Sequence, residues 1–302
     1  MNKKLIVITG PTASGKTALS VDLAKRLNCA IISADSRQFY KKLSIGTAKP
    51  TIEEQQGVPH YFIDSHSVET PLTSGQFEKL ALATLGKLFS DSDYAILVGG
   101  SGMFIDALIY GIDDLPHDKK IRDYFNNEFE EKGLEFLQEQ LKAKDPEVAK
   151  KIDLQNPLRV IRALEIREIL GKSQLDISKN TKIEREFETH YFVIDHPREA
   201  LYERINLRVE DMFEKGLLEE VKSVEKWRNL QSLNTVGYKE LFDYLDGKIS
   251  LEEAKELIKR NSRRYAKRQL TWFRRNKDAI WLNYDSINKM SEKILFHLEE
   301  IN

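Results

Sequence analysis

The sequence predicts an α/β protein with a parallel β-sheet core, a mostly helical insertion and a helical C-terminal region. Short apolar runs alternate with helical periodicity from Leu5 to Tyr110. Residues 115–185 are charged and poor in strand character, which returns at residues 191–195 before further helices. We therefore assign residues 1–114 and 186–302 to an α/β core and residues 115–185 to a helical insertion.

The first predicted strand leads directly into a loop of characteristic spacing. The apolar residues 5–8 are followed by Gly10 to Thr17, which fit the P-loop pattern G-x-x-x-x-G-K-[ST], and then by a helix to residue 27. Glycines let successive backbone N–H groups face an anion, and the N-terminus of the helix attracts the same charge. Lys16 adds a cation, and the Thr17 hydroxyl suits Mg²⁺ on a phosphate oxygen. The loop predicts a polyphosphate site without naming the polyphosphate.

A carboxylate is expected beside this loop. A second apolar strand, 30–33, ends just before Asp35, so strand, helix and strand form a βαβ unit with a right-handed crossover. Ligands of such sheets bind at the carboxyl ends of the strands. Asp35 is therefore a candidate general base or a partner of a bound metal, rather than a simple turn or helix-cap residue.

Acidic residues are absent from the end of the most hydrophobic internal strand. Residues 94–98 run into Gly99 and Gly100, whereas an ATPase is expected to keep an acid there. We expect the glycine pair to leave room for a bulky ligand near the backbone. Asp64, at the end of a predicted strand 61–64, only superficially resembles a magnesium-binding acid. The pattern favours a pyrophosphate other than that of a hydrolysed nucleotide.

Basic residues suggest a nucleic-acid surface, although each has an ordinary structural alternative. Arg159 with Arg162, and Arg204 with Arg208, share helix faces suited to phosphate, but nearby acids could pair with them equally well. The helix predicted at 250–276 carries eight Lys and Arg residues from Lys259 onward, with aromatic residues between them. Cations with aromatics suit RNA phosphates and unstacked bases.

Composition limits the class of protein. The 302 residues are 41% hydrophobic and carry a net charge of −1, so any nucleic-acid surface must be local. A single cysteine, Cys29, excludes a disulfide framework and a cysteine zinc site. No apolar stretch approaches the roughly 20 residues that span a bilayer, and the N-terminal run is a core strand rather than a signal peptide. A cytoplasmic protein is expected, without a membrane partner.

Taken together, the motifs resemble those of the tRNA dimethylallyltransferases, also called isopentenyl-diphosphate:tRNA transferases. Ser101 and Phe104 stand where that family usually has Thr and Tyr, and the zinc finger of some eukaryotic relatives is missing, so the bacterial type is implied. The segments that carry the resemblance run in family order: GPTASGKT from Gly10, SADSRQ from Ser33, IGTAKP from Ile45, VGG from Val98, NPLRVIRALE from Asn156, TVGYKE from Thr235, KRQ from Lys267 and TWFR from Thr271.

The resemblance implies a specific reaction. A dimethylallyl group would move from dimethylallyl diphosphate to the exocyclic N6 amine of the adenosine 3′-adjacent to the anticodon, position 37, in tRNAs that read codons starting with U. The P-loop would bind the donor diphosphate together with Mg²⁺, and the insertion would bind the anticodon stem-loop. A monomer is expected.

The resemblance also implies roles for individual residues. Asp35 would be the general base, while Arg208 and Thr12 would stabilise the leaving group; between Arg204 and Arg208 the choice rests on the family. Thr17 would be the metal ligand. The diphosphate would be bound by Gly10, Pro11, Thr12, Ala13, Ser14, Gly15, Lys16 and Thr17. The tRNA would be contacted by Asp35, Ser36, Arg37, Gln38, Ser101, Arg122, Arg159, Val160, Ile161 and Arg162.

Two other functions remain compatible with the residues alone. One is a small-molecule kinase that binds ATP in the P-loop and uses Asp35 as base towards a hydroxyl group. The other is a nucleotide-regulated RNA-binding protein without chemistry. Transfer of a labelled prenyl group, of a labelled γ-phosphate, or of neither would separate the three.

Overall fold

The computed structural model describes residues 3–113, 115–177 and 183–300. The chain divides into two compact units. The core unit comprises Met1–Tyr110 and Glu184–Asn302, and the insertion unit comprises Gly111–Ile183. The predicted boundary at residue 114 falls outside the described residues, and the opposite one at 185 lies two positions beyond the end of the insertion unit.

A six-stranded sheet forms the centre of the core unit, and all of its strand pairs are parallel. Its order is β3-β2-β4-β1-β5-β6, so the strand that leads into the P-loop is flanked on both sides. This confirms the predicted fold class. The strands are β1 Lys4–Thr9, β2 Ile31–Ser33, β3 His60–Tyr61, β4 Tyr94–Gly99, β5 Glu188–Asp195 and β6 Ile280–Asn283.

Helices cover both faces of this sheet. In the first part of the core unit they are α1 Lys16–Leu27, α2 Ile52–Gln55, α3 Ser74–Asp91 and α4 Gly102–Tyr110. The insertion unit contains α5 Lys119–Lys144, α6 Pro146–Lys151, α7 Pro157–Leu170 and α8 Gln174–Ile177. The second part of the core unit contains α9 Arg198–Glu214, α10 Leu217–Ser223, α11 Tyr238–Leu245, α12 Leu251–Phe273 and α13 Ile287–Glu300.

Strand β1 is apolar on both sides because both sides are covered. Leu5 and Val7 belong to one buried cluster with residues of α3 and α4, whereas Ile6 and Ile8 belong to another with residues of α1 and α13. Successive side chains of a strand point to opposite faces, so a strand between two helical layers has no polar side. The continuous apolar run predicted this arrangement.

The carboxyl ends of the central strands meet at one edge of the sheet. Thr9, the last residue of β1, pairs with Gly99 of β4 and Val193 of β5. The P-loop, the turn after β2 and the turn after β4 all leave from this edge. The edge therefore gathers the residues that the sequence marked as candidates.

The strand predicted at residues 61–64 is wrong in extent, since β3 contains only His60 and Tyr61. Phe62 and Asp64 have positive φ angles of 65° and 50°, which a strand does not accommodate. Asp64 instead forms an ion pair with Lys49, whose Nζ lies 2.5 Å from Asp64 Oδ1. Its carboxylate is thus committed to a buried lysine.

The insertion unit has a hydrophobic core of its own, formed by residues of α5, α6 and α7. Helix α5 starts at Lys119 and is interrupted at Gly133, where φ is +80°. Helices α6 and α7 begin with a proline after a side-chain cap, Asp145 and Asn156 respectively. Across the described parts of both units, no helix combines the length and apolar character needed to cross a bilayer.

Candidate active site

The P-loop turns tightly between β1 and α1. Gly10 has a φ of +153° and lies so close to β5 that an added Cβ would be 2.9 Å from the Ile194 carbonyl oxygen. Gly15, at φ +90°, precedes α1 and provides no side-chain cap. The first amides of α1 are therefore left to face the loop, as an anion site requires.

Lys16 lies inside this loop. Its ammonium group donates to the carbonyls of Gly10 and Pro11, at 3.1 and 2.8 Å. Burial lowers the pKa of Lys16 from 10.5 to about 8; Asp35 opposes this shift and Arg208 adds to it. A diphosphate would draw the ammonium away from the loop carbonyls and supply the negative charge that the site lacks.

Two side chains hold the outer face of the loop. Arg204 Nε donates to the Ala13 carbonyl at 2.8 Å, and His196 Nε2 lies 3.0 Å from the Ser14 carbonyl, so that nitrogen carries the hydrogen. Tyr284 stacks on the His196 ring and lies beneath the Arg204 guanidinium. These contacts fix the Ala13 and Ser14 carbonyls and so hold the P-loop in a defined conformation.

Asp35 and Arg208 both line a cleft of about 650 Å³ in the core unit. Asp35 is half-buried in the turn after β2, where its Oδ1 accepts the backbone N–H of Arg37 at 3.0 Å. Burial lowers the pKa of Arg208, which lies on α9, and the Asp35 carboxylate opposes this shift. Its Nη2 donates to the Thr47 carbonyl at 3.4 Å. Arg204 thus binds the P-loop backbone, whereas Arg208 lines the cleft.

Thr12 also lines the cleft, and its backbone is anchored by a residue from α12. Gln269 accepts the Thr12 N–H with Oε1 and donates to the Gly100 carbonyl with Nε2, each at 2.8 Å. The Gln269 side chain is only 6% exposed, so neither bond competes with solvent. It therefore ties the P-loop to the turn after β4.

Gly99 and Gly100, at the end of β4, lie in close contact with other parts of the core unit. This corrects the expectation that the glycine pair leaves room for a bulky ligand. A Cβ on Gly99 would be 2.4 Å from the Ala34 carbonyl oxygen, and one on Gly100 would be 2.3 Å from Gln269 Nε2. A side chain at position 99 would clash with the backbone, and one at position 100 would displace the Gln269 amide. The glycines allow the β2 turn and Gln269 to approach β4.

Four residues predicted to contact tRNA lie next to Asp35, but they already have partners within the core unit. The Ser101 hydroxyl accepts the Ser36 N–H at 3.0 Å. Arg37 Nη1 donates to the carbonyls of Gln231 and Ser232, and Gln38 Nε2 donates to those of Thr47 and Ala48. Of the four, Ser36 and Arg37 line the cleft, and Gln38 lines the smaller recess described below.

A recess of about 30 Å³ lies behind the cleft, and Asp35 borders both spaces. Lys16, Thr17 and Gly99 are among the residues that line the recess. Asp35 thus lines both the recess that contains Lys16 and Thr17 and the much larger cleft.

A model of the IPP transferase family matches residues 38–276, more than half of the chain. The chain belongs to the IPP transferase family. It is 48% identical over 301 residues to the tRNA dimethylallyltransferase of Cytophaga hutchinsonii, covering 99% of both chains. It is 45% identical over 295 residues to tRNA dimethylallyltransferase 1 of Phocaeicola vulgatus, covering 97% of this chain and 98% of that one. The predicted family is confirmed.

Solved structures show the same fold. The tRNA isopentenylpyrophosphate transferase of Bacillus halodurans is 40% identical and superposes with a TM-score of 0.72, covering 99% of this chain and 97% of that one. A eukaryotic dimethylallyltransferase that acts on tRNA is 28% identical, with a TM-score of 0.80 over 95% of this chain and 75% of that one.

In this IPP transferase the insertion unit places its arginines differently from what their spacing alone suggested. Arg122 and Arg162 each donate to Glu165 Oε2 at 2.9 Å, and Glu165 is fully buried. His117 Nδ1 lies 2.5 Å from Glu165 Oε1. Arg159 is exposed and has no such partner within the part of the chain that the structure describes. Of the three, Arg159 is the one most available to a phosphate.

The tRNA contacts predicted for the side chains of Val160 and Ile161 are corrected by the fold of the insertion unit. Val160 is 0% exposed and Ile161 is 1% exposed. Both pack in the core formed with α5 and α6. They follow the helical spacing that turns one face of α7 inward, and burial there leaves the exposed face to Arg159.

Helix α12 divides its residues between packing and the cleft. Ala266, Gln269 and Phe273 are buried. Some of the positive charge is used internally: Lys259 pairs with Glu210, and Arg263 donates to Asn206. The residues of α12 that line the cleft include Arg260, Asn261, Arg264, Tyr265 and Arg268. Fewer basic residues of α12 are therefore available to a ligand than the sequence suggested, and Arg260, Arg264 and Arg268 are the ones that line the cleft.

The chemistry of the recess fits a hard divalent cation. The Thr17 hydroxyl lines it and supplies an oxygen atom, the type of ligand that Mg²⁺ prefers and commonly completes with phosphate oxygens. Asp64 does not line the recess, and its carboxylate pairs with Lys49 instead. No group of three His, Cys, Asp or Glu residues suited to a metal occurs in the described residues, so a metal would depend on the phosphate ligand.

Proposed function

We propose that this chain transfers a dimethylallyl group from dimethylallyl diphosphate to the N6 amine of adenosine 37, 3′-adjacent to the anticodon, in tRNAs that read codons starting with U. The observation that carries the proposal is the position of Asp35 between the phosphate-binding recess and the large cleft. Relatives named tRNA dimethylallyltransferase, matched over nearly their whole length, support it.

The donor would be held by its diphosphate. The P-loop amides and the Lys16 ammonium would bind the phosphate oxygens, and the Thr17 hydroxyl would hold Mg²⁺ against them. When bound, the magnesium ion supplies positive charge to the diphosphate. The dimethylallyl group would then point past Asp35 into the cleft, because the loop surrounds only the phosphate end.

The acceptor would enter from the wide side. An adenine stacked in an anticodon loop must be flipped out, at a cost of a few kcal/mol, before its amine can react. The N6 lone pair then attacks C1 of the dimethylallyl group, the C1–O bond breaks, and its electron pair leaves with diphosphate. Asp35 accepts the proton that N6 loses.

Negative charge grows on the departing diphosphate, and three groups of the site would stabilise it. Lys16 and Arg208 are cations, and the Asp35 carboxylate raises the pKa of each. Thr12 lies on the cleft wall beside them. Groups that bind the charge more strongly in the transition state than in the ground state lower the barrier; loss of one typically costs about 10²- to 10³-fold in rate.

The tRNA would be bound by separate contacts in the two units. Arg159 of the insertion unit is the candidate for the anticodon stem-loop backbone, with Arg122 and Arg162 held nearby by Glu165. In the core unit, Arg264 and Arg268 of α12 line the cleft beside Tyr265. We further propose that the enzyme acts as a cytoplasmic monomer.

One transfer experiment tests the proposal against its alternatives. The protein is incubated with Mg²⁺, tRNA and either labelled dimethylallyl diphosphate or γ-labelled ATP. Label from the prenyl donor should appear on tRNA, and nuclease digestion should locate it on adenosine 37. Phosphate transfer to a small acceptor would favour a kinase, and tRNA binding without transfer of either label would favour a regulatory RNA-binding protein.

A further inference from the structure

Residues 44–48 form a loop on the cleft wall, which we call the cleft loop. Gly46 and Thr47 line the cleft itself. The backbone N–H groups of Ser44 and Ile45 donate to Glu220 Oε2 at 2.8 and 2.7 Å, and that of Gly46 donates to Oε1 at 2.9 Å. One carboxylate of α10 therefore satisfies three consecutive amides, and hydrogen bonds to an ionised acceptor are the strong kind.

A buried tyrosine completes this attachment. The Tyr238 hydroxyl donates to Glu220 Oε1 at 2.6 Å, and its side chain is fully buried. Burial raises the pKa of Tyr238, and the Glu220 carboxylate adds to that effect, so the hydroxyl keeps its proton and remains a donor. An added Cβ on Gly46 would be 2.6 Å from the tyrosine ring. The cleft loop is thus held by hydrogen bonds and by close packing.

The other end of the cleft loop reaches the residues around Asp35. The Thr47 carbonyl accepts Arg208 Nη2 at 3.4 Å and Gln38 Nε2 at 3.2 Å. Gln38 in turn donates its backbone N–H to the Asp35 carbonyl at 3.2 Å. A shift of the cleft loop would therefore move the acceptor that Arg208 and Gln38 share.

We infer that Glu220 is a positioning residue: by holding the cleft loop it sets the place of Arg208 and so the stabilisation of the leaving diphosphate. The inference rests on the proposed prenyl transfer. Glu220 does not line the cleft and needs no contact with substrate. Its effect passes from its carboxylate through the cleft loop amides and the Thr47 carbonyl to the Arg208 guanidinium.

Glu220→Gln is the first variant to examine. The amide keeps the shape but replaces one acceptor oxygen by an NH₂ group, which cannot accept from the loop amides or from Tyr238. We expect kcat to fall about 10²-fold, the usual effect of a misplacement near 1 Å at a reacting centre, while the KM for tRNA stays unchanged. Glu219→Gln is the matched control, because the same change there affects only an exposed pair with Lys222. It should leave kcat unchanged.

A double-mutant cycle separates positioning from general support of the fold. Arg208→Ala, Glu220→Gln and the double variant are compared for kcat and for the affinity of inorganic diphosphate with Mg²⁺, measured by calorimetry. If Glu220 acts through Arg208, Glu220→Gln should change either quantity by no more than about twofold on the Arg208→Ala background. Independent, multiplying effects would overturn the inference.

Tyr238→Phe guards against a Glu220 variant that does not fold. It removes one hydrogen bond to Glu220 and keeps the buried ring, so the loss of kcat should be smaller and should likewise vanish without Arg208. A full loss that persists without Arg208 would overturn the inference. If the cycle shows the expected coupling in diphosphate affinity while the wild-type protein transfers no prenyl label to tRNA, that result would refute the proposed function and leave the positioning role of Glu220 intact.

Discussion

Asp35 is the residue on which the proposed chemistry depends most directly. Its Oδ1 accepts the Arg37 N–H at 3.0 Å, and it borders both the recess and the cleft. If it accepts the N6 proton, Asp35→Ala should lower kcat by about 10²- to 10⁴-fold while changing the dissociation constant of tRNA far less. Single-turnover kinetics with labelled donor, together with filter binding of tRNA, measure the two quantities.

Asp35→Asn is the informative companion of that variant. Asparagine keeps an oxygen acceptor for the Arg37 N–H but cannot take up the N6 proton. It should therefore preserve tRNA binding better than alanine and remain as slow. Equal losses of kcat and of tRNA affinity in both variants would remove the general-base role and leave Asp35 as a binding residue.

Gln269 provides a second prediction at this scale, because its amide bridges the Thr12 N–H and the Gly100 carbonyl. Gln269→Glu keeps the acceptor, loses the donor and adds negative charge beside the P-loop. An unsatisfied buried carbonyl costs about 1–3 kcal/mol, and if that cost falls on the conformation that binds diphosphate, diphosphate should bind about 5- to 150-fold more weakly. Calorimetry with inorganic diphosphate and Mg²⁺ gives the affinity.

The control for Gln269 is another glutamine that donates to a carbonyl away from the site. Gln138 Nε2 donates to the Leu154 carbonyl at 2.9 Å within the insertion unit. Gln138→Glu should leave diphosphate affinity unchanged. Similar weakening in both variants would show that the loss of any such hydrogen bond suffices, and Gln269 would lose its special link to the P-loop.

At the scale of elements, helix α7 separates a free arginine from a paired one. Arg159 is exposed, whereas Arg162 donates to buried Glu165 and to the carbonyls of Pro116 and Leu115. If Arg159 meets a tRNA phosphate, Arg159→Ala should raise the KM for tRNA and reduce the slope of log affinity against log salt by about 0.7 to 0.9. Binding at several salt concentrations measures that slope.

Arg162→Ala serves as the contrasting variant of the same helix. Removing it takes one of the two arginines from the fully buried Glu165 carboxylate and leaves Arg122 and His117 as its partners, which is destabilising because a buried charge loses part of its compensation. We therefore expect a lower unfolding midpoint of the insertion unit in addition to any change in tRNA binding.

An unchanged salt slope in Arg159→Ala would count against a phosphate contact at that residue.

Strand β1 could be predicted because its signal is local. Residues 5–8 are apolar without interruption, and this pattern directly reflects burial on both faces. Helix α2, Ile52–Gln55, was missed because it has only four residues and Ile52 is 82% exposed. Its available signal was the capping box formed by Thr51 and Glu54.

The candidate site was predictable only where a motif marks its residues. The P-loop spacing identified Lys16 and Thr17, and strand-end logic identified Asp35. The roles of Gln269 and Glu220 could not be deduced, because Gln269 meets Thr12 across 257 positions of sequence and Glu220 meets Gly46 across 174. Such contacts depend on how α10 and α12 pack, which no local pattern specifies.

At the scale of the whole molecule, the stability of the core unit should depend on the protonation of His196. This residue follows β5, binds the P-loop through the Ser14 carbonyl and stacks on Tyr284 after β6. Burial lowers the pKa of His196 below 6.5, Arg204 and Lys16 act in the same direction, and the Ser14 carbonyl and Asp195 oppose them. The folded protein thus favours the neutral ring.

The sign of the pH effect follows from that shift. Because the pKa is lower in the folded state, the unfolded chain takes up a proton as the pH falls through 6.5 while the folded chain does not. The free energy of unfolding therefore decreases between pH 6.5 and the folded pKa, below which the loss is complete. His196→Gln keeps an N–H donor for the Ser14 carbonyl and does not titrate, so its stability should fall less on acidification.

Urea unfolding at pH 7.5, 6.5 and 5.5 tests this expectation. All three tryptophans, Trp227, Trp272 and Trp281, belong to the core unit, so their fluorescence reports on its unfolding. The other histidines of lowered pKa, His60, His66 and His190, titrate in both proteins and cancel in the comparison. Identical losses of stability in wild type and His196→Gln would mean that the ring beneath the P-loop accepts a proton without cost, and that its neutral form is not what holds the loop.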